Sequence, residues 1–407
     1  MPNPPVLTVT AKYFTSLILL VFITACGASK KTSAIQLIED PHSFSKPEIS
    51  GVKHLELELK VDFDAQRIHG IARYDLHQGH GSELILDHLG LRIQEVFIES
   101  PGGLKVVKYS LDDPRPYLGS ALRIPLEKET RRVHIHYSSG TDAVALQWVP
   151  RAQTHDKSGE FLFTQSQSVY ARSWIPCPDG PGMRFTYRAT VQVPKGMNAV
   201  MSARRVKQEP LEGLYQFEME IPIPAYLLAL AVGDFKFKAI GNRTGVYAES
   251  SILEQAAYEF EDLEKMLLAA EQLYGPYPWG RYDVLVLPPS FPFGGMENPR
   301  MTFVTPSVIS GDRSLTSLLA HELAHSWSGN LVTNASWNDF WLNEGFTTYF
   351  ESRIMEALYG KAYADMLSLL GIVLLRQTME DLGWDSPLTR LKLDLKEMDP
   401  EEAMTDI

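Results

Sequence analysis

The segment at 320–327 limits the possible folds more than any other stretch of the 407-residue chain. It contains His321 and His325, four residues apart, with Glu322 directly after the first. Side chains with this spacing lie on one face of a helix, one turn apart, so the two imidazoles can reach the same metal ion. The segment therefore predicts a helix that presents a metal site.

The same pattern supplies a base and a third ligand. Glu322 lies about 100° round the helix from His321, so its carboxylate stands beside the ion without binding it, where a general base for water is needed. Glu344, separated from His325 by eighteen residues, is the best candidate for the third ligand and is expected on a following helix. Two histidines and one carboxylate with an open fourth position are typical of catalytic zinc, so one zinc ion per chain is expected. The competing interpretation is an amphipathic helix with two ordinary histidines.

Charge and composition exclude several partner classes. The formal net charge is −12, and no block of Lys and Arg offsets it, which argues against nucleic acid or an anionic membrane face as a partner. A cationic ligand is the better electrostatic match. A hydrophobic content of 44% with 22% charged residues is ordinary for a globular protein, and we expect a monomer.

The N-terminal 46 residues predict export and anchoring. Residues 1–25 resemble a signal peptide, with an apolar run from residue 13 that is short for a membrane span. The segment 23–27 resembles a bacterial lipoprotein cleavage box, so we expect Cys26 to carry the lipid and residues 26–46 to form a tether. Gly27 favours the outer membrane, on the periplasmic side of the cell envelope, with the lipid as the only membrane contact. A cleaved signal without lipid and an uncleaved anchor are the alternatives.

From residue 47 the pattern indicates an α+β protein. Residues 47–235 carry short runs with period two and read as a β-rich domain. The predicted strands lie at 55–63, 83–87, 96–99, 131–137, 184–193 and 215–221. Residues 236–407 predict helices at 252–274 and 362–382, a strand at 282–287, a metal-site helix beginning near Asp312 or Ser314, and a helix carrying Glu344 that ends at Tyr359. The remaining Cys177 is expected to be a packed thiol.

Several motifs together resemble the M1 family of zinc aminopeptidases, and within it the leukotriene A(4) hydrolase branch. The motifs are His321-Glu322-x-x-His325, Glu344 within Trp341-Leu342-Asn343-Glu344-Gly345, and Gly294-Gly295-Met296-Glu297-Asn298. The resemblance implies a saddle-like β domain followed by a mainly helical, thermolysin-like catalytic domain. It also implies a zinc aminopeptidase that hydrolyses the first peptide bond of peptides with a free N-terminal amine.

The resemblance assigns further substrate-binding residues. Glu297 would bind the α-amino group, while Gln165 and Gln167 would reach the same pocket from the β-rich domain. The loop at 293–296 would contact the substrate, and its members are Phe293, Gly294, Gly295 and Met296. Since Gly294 and Gly295 have no side chain, substrate backbone could approach them closely.

The chain also departs from the family pattern. In the alignment, the family's catalytic tyrosine falls two positions after the last residue, and the helical C-terminal domain has no counterpart, so a truncated member is expected. Phe293 and Met404 stand where leukotriene-processing members carry Tyr. Two alternatives therefore stay open: an epoxide hydrolase of the leukotriene A(4) hydrolase type, and an inactive truncated chain that binds zinc without turnover.

Overall fold

A computed structural model describes residues 40–206, 213–396 and 398–403. Cys26, the signal peptide and most of the tether lie outside these residues and stay predictions. Within the described ranges, no helix is both long and apolar enough to cross a bilayer.

The first part of the chain is built from strands. They are β1 (Val52–Asp62), β2 (Arg67–Leu76), β3 (Glu83–His88), β4 (Arg92–Ser100), β5 (Gly103–Val106), β6 (Ser110–Leu111), β7 (Ser120–Pro125), β8 (Arg132–Ser138), β9 (Leu146–Val149), β10 (Phe161–Thr164), β11 (Arg184–Gln192), β12 (Asn198–Met201), β13 (Arg204–Arg205), β14 (Leu214–Pro224) and β15 (Leu230–Gly233). One sheet has the order β13-β14-β11-β1-β2-β8-β4-β5, a second β12-β15-β10-β9, and a third β3-β7-β6.

Alternating side chains explain why one face of β1 is buried and the other faces solvent. Leu55, Leu57 and Leu59 are at most 3% exposed, while the acidic residues between them face outward. β1 pairs with β2 in antiparallel and with β11 in parallel orientation. All six strands predicted in this part are confirmed, and in β1 the period-two pattern gives one buried and one wet face, which only an extended chain allows.

The second part combines a sheet with helices. Its strands are β16 (Lys236–Ala239), β17 (Thr244–Ala248), β18 (Tyr282–Val286), β19 (Gly295–Met296) and β20 (Met301–Val304), in the order β16-β17-β18-β20-β19. Its helices are α1 (Leu253–Glu259), α2 (Leu263–Tyr274), α3 (Ser317–Ala324), α4 (Trp341–Tyr359), α5 (Lys361–Leu382) and α6 (Pro400–Ala403). The α+β class is confirmed, while the predicted boundaries after residues 46 and 235 stay predictions.

Two predicted helix boundaries are wrong for one reason. The helix expected over 252–274 is interrupted between α1 and α2, and α3 begins at Ser317 rather than near Asp312 or Ser314. The buried carboxylate of Glu259 accepts hydrogen bonds from the main-chain nitrogens of Gly311 and Arg313. Arg313 has a φ of 62°, which a right-handed helix does not contain. The contact between these distant segments therefore ends α1 and delays α3.

A buried ionic cluster links residues near both ends of the described chain. The guanidinium of Arg172 is fully buried, with Nε 3.0 Å from Asp179 Oδ2 and Nη1 3.7 Å from Asp87 Oδ1. Its Nη2 donates to the carbonyl of His42 at 2.7 Å. The ring of His42 in turn contacts the carbonyl of Leu395 at 2.7 Å. The cluster thereby holds the segment after residue 40 against the segment near residue 395.

Candidate metal centre

Three ligand atoms converge at the end of α3. His321 Nε2 lies 3.1 Å from His325 Nε2 and 3.3 Å from Glu344 Oε2, and His325 Nε2 lies 3.6 Å from the same oxygen. A tetrahedral ion with bonds of about 2.0 to 2.1 Å keeps its ligand atoms roughly 3.3 Å apart. The three predicted ligands therefore occupy three corners around one possible ion position, and the fourth corner is left to solvent or substrate.

The helices place these side chains as the spacing predicts. His321 lies in the last turn of α3, and His325 directly follows the helix with helical backbone angles. Its main-chain nitrogen still donates to the carbonyl of His321 at 3.2 Å. Glu344 comes from the first turn of α4, which packs against α3. A four-residue spacing and one helix-helix contact thus build the group.

The other ring nitrogens are held by acceptors. His321 Nδ1 lies 3.1 Å from Glu351 Oε2, and His325 Nδ1 lies 3.1 Å from Asn343 Oδ1 and 3.2 Å from the carbonyl of Ser328. A nitrogen facing these oxygens must carry the proton, so each neutral ring turns the Nε2 lone pair toward its partner. Two lone pairs and a carboxylate facing each other fit a cation placed between them.

Electrostatics also favour positive charge at this point. Burial alone would lower the pKa of His325, yet the carboxylates of Glu344 and Glu297 raise that pKa to about 9. Burial alone would raise the pKa of Glu344, but attraction to the two rings holds that pKa well below its usual range. A metal ion can supply the charge that a proton supplies otherwise.

Sequence reasoning missed the residues that orient the rings. Glu351 lies seven positions after Glu344, two turns along the same face of α4, and Asn343 directly precedes Glu344. That heptad spacing is the signal that could have found Glu351. Gly329 makes room for the pair of Asn343 and His325, because a Cβ at this glycine would lie 2.1 Å from Asn343 Oδ1.

Glu322 lies beside the ligands and is 5% exposed. Its carboxylate belongs to a second group, with Glu297 and His325, whose ligand atoms lie within 4.8 Å of one another. Burial raises the pKa of Glu322 to about 8, and Oε2 finds no hydrogen-bond partner among the described residues. Strand β19 passes directly against it: a Cβ on Gly295 would lie 2.1 Å from Glu322 Oε1. The missing side chain of Gly295 therefore makes room for Glu322.

Four of the residues predicted to bind substrate form two contacting pairs. Glu297 is 4% exposed, and Gln167 Nε2 lies 3.4 Å from its Oε1, while Gln165 Nε2 lies 3.3 Å from Met296 Sδ. Burial raises the pKa of Glu297. These four side chains thus come together across the two parts of the chain. Phe293 is 39% exposed, and its ring packs on the ring of Phe291.

Two family models match the chain. The Peptidase M1 N-terminal domain matches residues 52–227, and the Peptidase family M1 domain matches residues 258–403. The second range contains all three predicted metal ligands together with Glu322 and Glu297.

Relatives of known name and structure agree with this match. Leukotriene A-4 hydrolase from Xenopus laevis is 42% identical over 380 residues, and leucine aminopeptidase 2 from Aspergillus niger is 40% identical over 381. Each alignment covers 90% of this chain, but 62% and 61% of the relative. Yeast LTA4 hydrolase in complex with bestatin superposes with a TM-score of 0.85 at 36% identity, covering 92% of this chain and 59% of the yeast chain.

The chain spans about 60% of the length of the curated relatives it matches. Within that span, both matched domains occur in the family's order, and the structure brings together the histidines and carboxylates of the metal centre. The chain belongs to peptidase family M1.

Proposed function

We propose that this protein is a zinc aminopeptidase that hydrolyses the first peptide bond of peptides with a free N-terminal amine. The observation that carries the proposal is the convergence of His321, His325 and Glu344, with ligand atoms 3.1 to 3.6 Å apart, beside the unpaired carboxylate oxygen of Glu322. The donor set and the tetrahedral spacing fit zinc. A bound zinc ion supplies Lewis acidity, which lowers the pKa of water toward about 7 and polarises a carbonyl.

Proton transfer and orientation of the imidazole rings are assigned to side chains of this chain. Glu322 accepts a proton from the attacking water through its unpaired oxygen and delivers it to the leaving amine. Because Glu322 is buried, its carboxylate is close to the reacting atoms and poorly solvated, which favours proton transfer. Glu351 and Asn343 keep both imidazole rings oriented.

Substrate selection follows from the neighbouring carboxylate. Glu297 is buried, within 4.8 Å of the Glu322 and His325 ligand atoms, so a cationic α-amino group that binds it places the first peptide bond at the metal centre. A blocked or internal residue brings no positive charge to that position. This contact restricts cleavage to the N-terminal bond, and the acidic net charge of the chain favours approach of such cations.

The test measures zinc content together with hydrolysis of an aminoacyl anilide by the purified chain. One zinc per chain and activity that is lost in Glu322→Gln support the proposal, since this substitution removes the base and preserves shape. Zinc without hydrolysis supports the inactive alternative. A folded chain that takes up no zinc refutes the assignment of the metal site.

A second candidate is hydrolysis of a lipid epoxide at the same centre, because a relative at 42% identity is named leukotriene A-4 hydrolase. By the family resemblance, Phe293 stands where leukotriene-processing members carry a tyrosine, which weakens this candidate. The assay therefore includes an epoxide fatty acid as a separate arm. Turnover of the epoxide without turnover of the anilide would favour this candidate.

We also propose, from the sequence alone, that Cys26 carries a lipid anchor in a bacterial cell envelope. The support is the apolar run before it and the cleavage box at 23–27. Incorporation of a labelled fatty acid that disappears in Cys26→Ser is the expected result. Equal labelling of both proteins would contradict the assignment.

A further inference from the structure

Asn330 lies where the two halves of the candidate site meet. It is 1% exposed. Its main-chain nitrogen donates to the carbonyl of His325 at 2.9 Å, and its side-chain Nδ2 donates to the carbonyl of Glu297 at 2.7 Å. One residue therefore bonds to the segment that carries a predicted zinc ligand and to the segment that carries the predicted amine-binding carboxylate.

Arg184, at the start of β11, holds Asn330 from the β-rich part of the chain. Its Nη2 donates to the carbonyl of Asn330 at 2.6 Å and to the carbonyl of Pro222 at 2.7 Å, while Nη1 donates to Thr333 Oγ1 at 2.5 Å. Hydrogen bonds from a charged donor are shorter and stronger than neutral ones. The planar guanidinium therefore links the Asn330 carbonyl and Thr333 Oγ1 to Pro222 in strand β14.

We propose that Asn330 is a positioning residue that sets the place of Glu297 relative to His325, and that Arg184 holds Asn330 in register. This rests on the proposed role of Glu297 in binding the substrate amine. The Oδ1 atom of Asn330 has no partner among the described residues, so the bond to Glu297 is what orients the amide. A carboxylate at this position would bring two acceptors face to face and push the main chain of Glu297 away.

The test compares Asn330→Asp with Asn334→Asp in the full, zinc-loaded chain. Asn334 is a matched control, because it is 4% exposed and its Nδ2 donates to the carbonyl of Ser336 at 2.8 Å, with no contact to Glu297 or His325 in the described structure. The probe is L-leucinamide, whose binding is measured by calorimetry and requires no turnover. N-acetyl-L-leucinamide, which has no free amine, gives the background.

We expect Asn330→Asp to weaken L-leucinamide binding about tenfold or more, by analogy with the loss caused by removing residues that orient metal ligands. Asn334→Asp should change it by no more than about twofold, although both variants lose one buried hydrogen bond. Zinc content should remain one per chain in both, since the zinc ligands are unaltered. A change confined to amine affinity separates positioning from general loss of stability.

Arg184→Lys provides a second variant if Asn330→Asp does not fold. Lysine keeps the positive charge but has no planar fork, so it cannot hold the Asn330 and Thr333 acceptors together. We expect weaker L-leucinamide binding, by about threefold to tenfold. An Asn330→Asp affinity that matches that of Asn334→Asp would overturn the positioning role alone, and if Asn330→Asp does not fold, the same result for Arg184→Lys overturns it. A wild-type chain that holds zinc but does not distinguish L-leucinamide from its acetylated form would overturn the amine-binding role of Glu297, and this inference with it.

Discussion

Gly295→Ala tests whether the position of Glu322 is critical. A Cβ at this glycine would lie 2.1 Å from Glu322 Oε1, 2.4 Å from its Cδ and 2.7 Å from its Cγ. Ordinary contact begins at 3.4 Å, so the carboxylate must retreat by about 1.3 Å, the difference from 2.1 Å, if the strand does not move. A misplacement of about 1 Å in a catalytic group costs on the order of a hundredfold in rate. We therefore expect kcat/KM for an aminoacyl anilide to fall about a hundredfold.

The adjacent glycine supplies the control. A Cβ on Gly294 would meet Leu318 Cδ1 at 3.3 Å and Cδ2 at 3.7 Å, which a flexible leucine accommodates with a small shift. Gly294→Ala should therefore keep kcat within about threefold of the wild type, and a loss through contact with substrate backbone should appear in KM. Zinc content should be similar in both variants, since neither new methyl group is placed against a predicted zinc ligand. Equal kcat values for the two variants would refute the claim that Gly295 fixes the catalytic position of Glu322.

Three further predictions concern the metal ligands and the buried charges. Glu351→Gln should weaken zinc binding by about tenfold, measured by chelator competition, because His321 Nδ1 loses its charged acceptor; unchanged affinity would contradict that role. Arg172→Met should lower the free energy of unfolding in urea by about 3 to 5 kcal/mol, because its two buried carboxylate partners lose their counter-charge. Burial raises the pKa of Asp40 to about 6, above the ~3.9 of an aspartate in an unfolded chain. Between about pH 4 and 6 the folded state therefore binds more protons at this residue than the unfolded state, so its contribution to the free energy of unfolding falls as the pH rises. Asp40→Asn should remove that part of the decline, and urea titrations across this range with no difference in slope would refute it.

Spacing in the sequence was sufficient to predict that the three candidate metal ligands converge. His321 and His325 need only one helical turn to face the same way, and Glu344 needs only a second helix packed on the first. The strands of the β-rich part are confirmed for a comparable reason, since alternation such as that of Leu55, Leu57 and Leu59 has one physical solution. These are local patterns, and local geometry decides them.

Contacts between distant segments decided what the pattern could not. The break between α1 and α2 and the late start of α3 follow from the bonds between Glu259 and the loop containing Gly311 and Arg313. No periodicity in either segment contains this information, because each partner lies about fifty positions from the other. The hydrogen bond from the buried Arg172 to the carbonyl of His42 is likewise a contact between distant segments.

The sequence by itself thus predicted the candidate ligand set and base and determined the α+β class, because helical and extended geometry follow from residue spacing. Only the tertiary structure decided how these groups are held: Glu351 and Asn343 on the imidazole rings, Gly295 against Glu322, and Asn330 between Glu297 and His325. These contacts join residues from different strands, helices and loops, and their distances depend on how those elements pack. The sequence therefore specifies which chemical groups are available, while packing sets the distances at which they act.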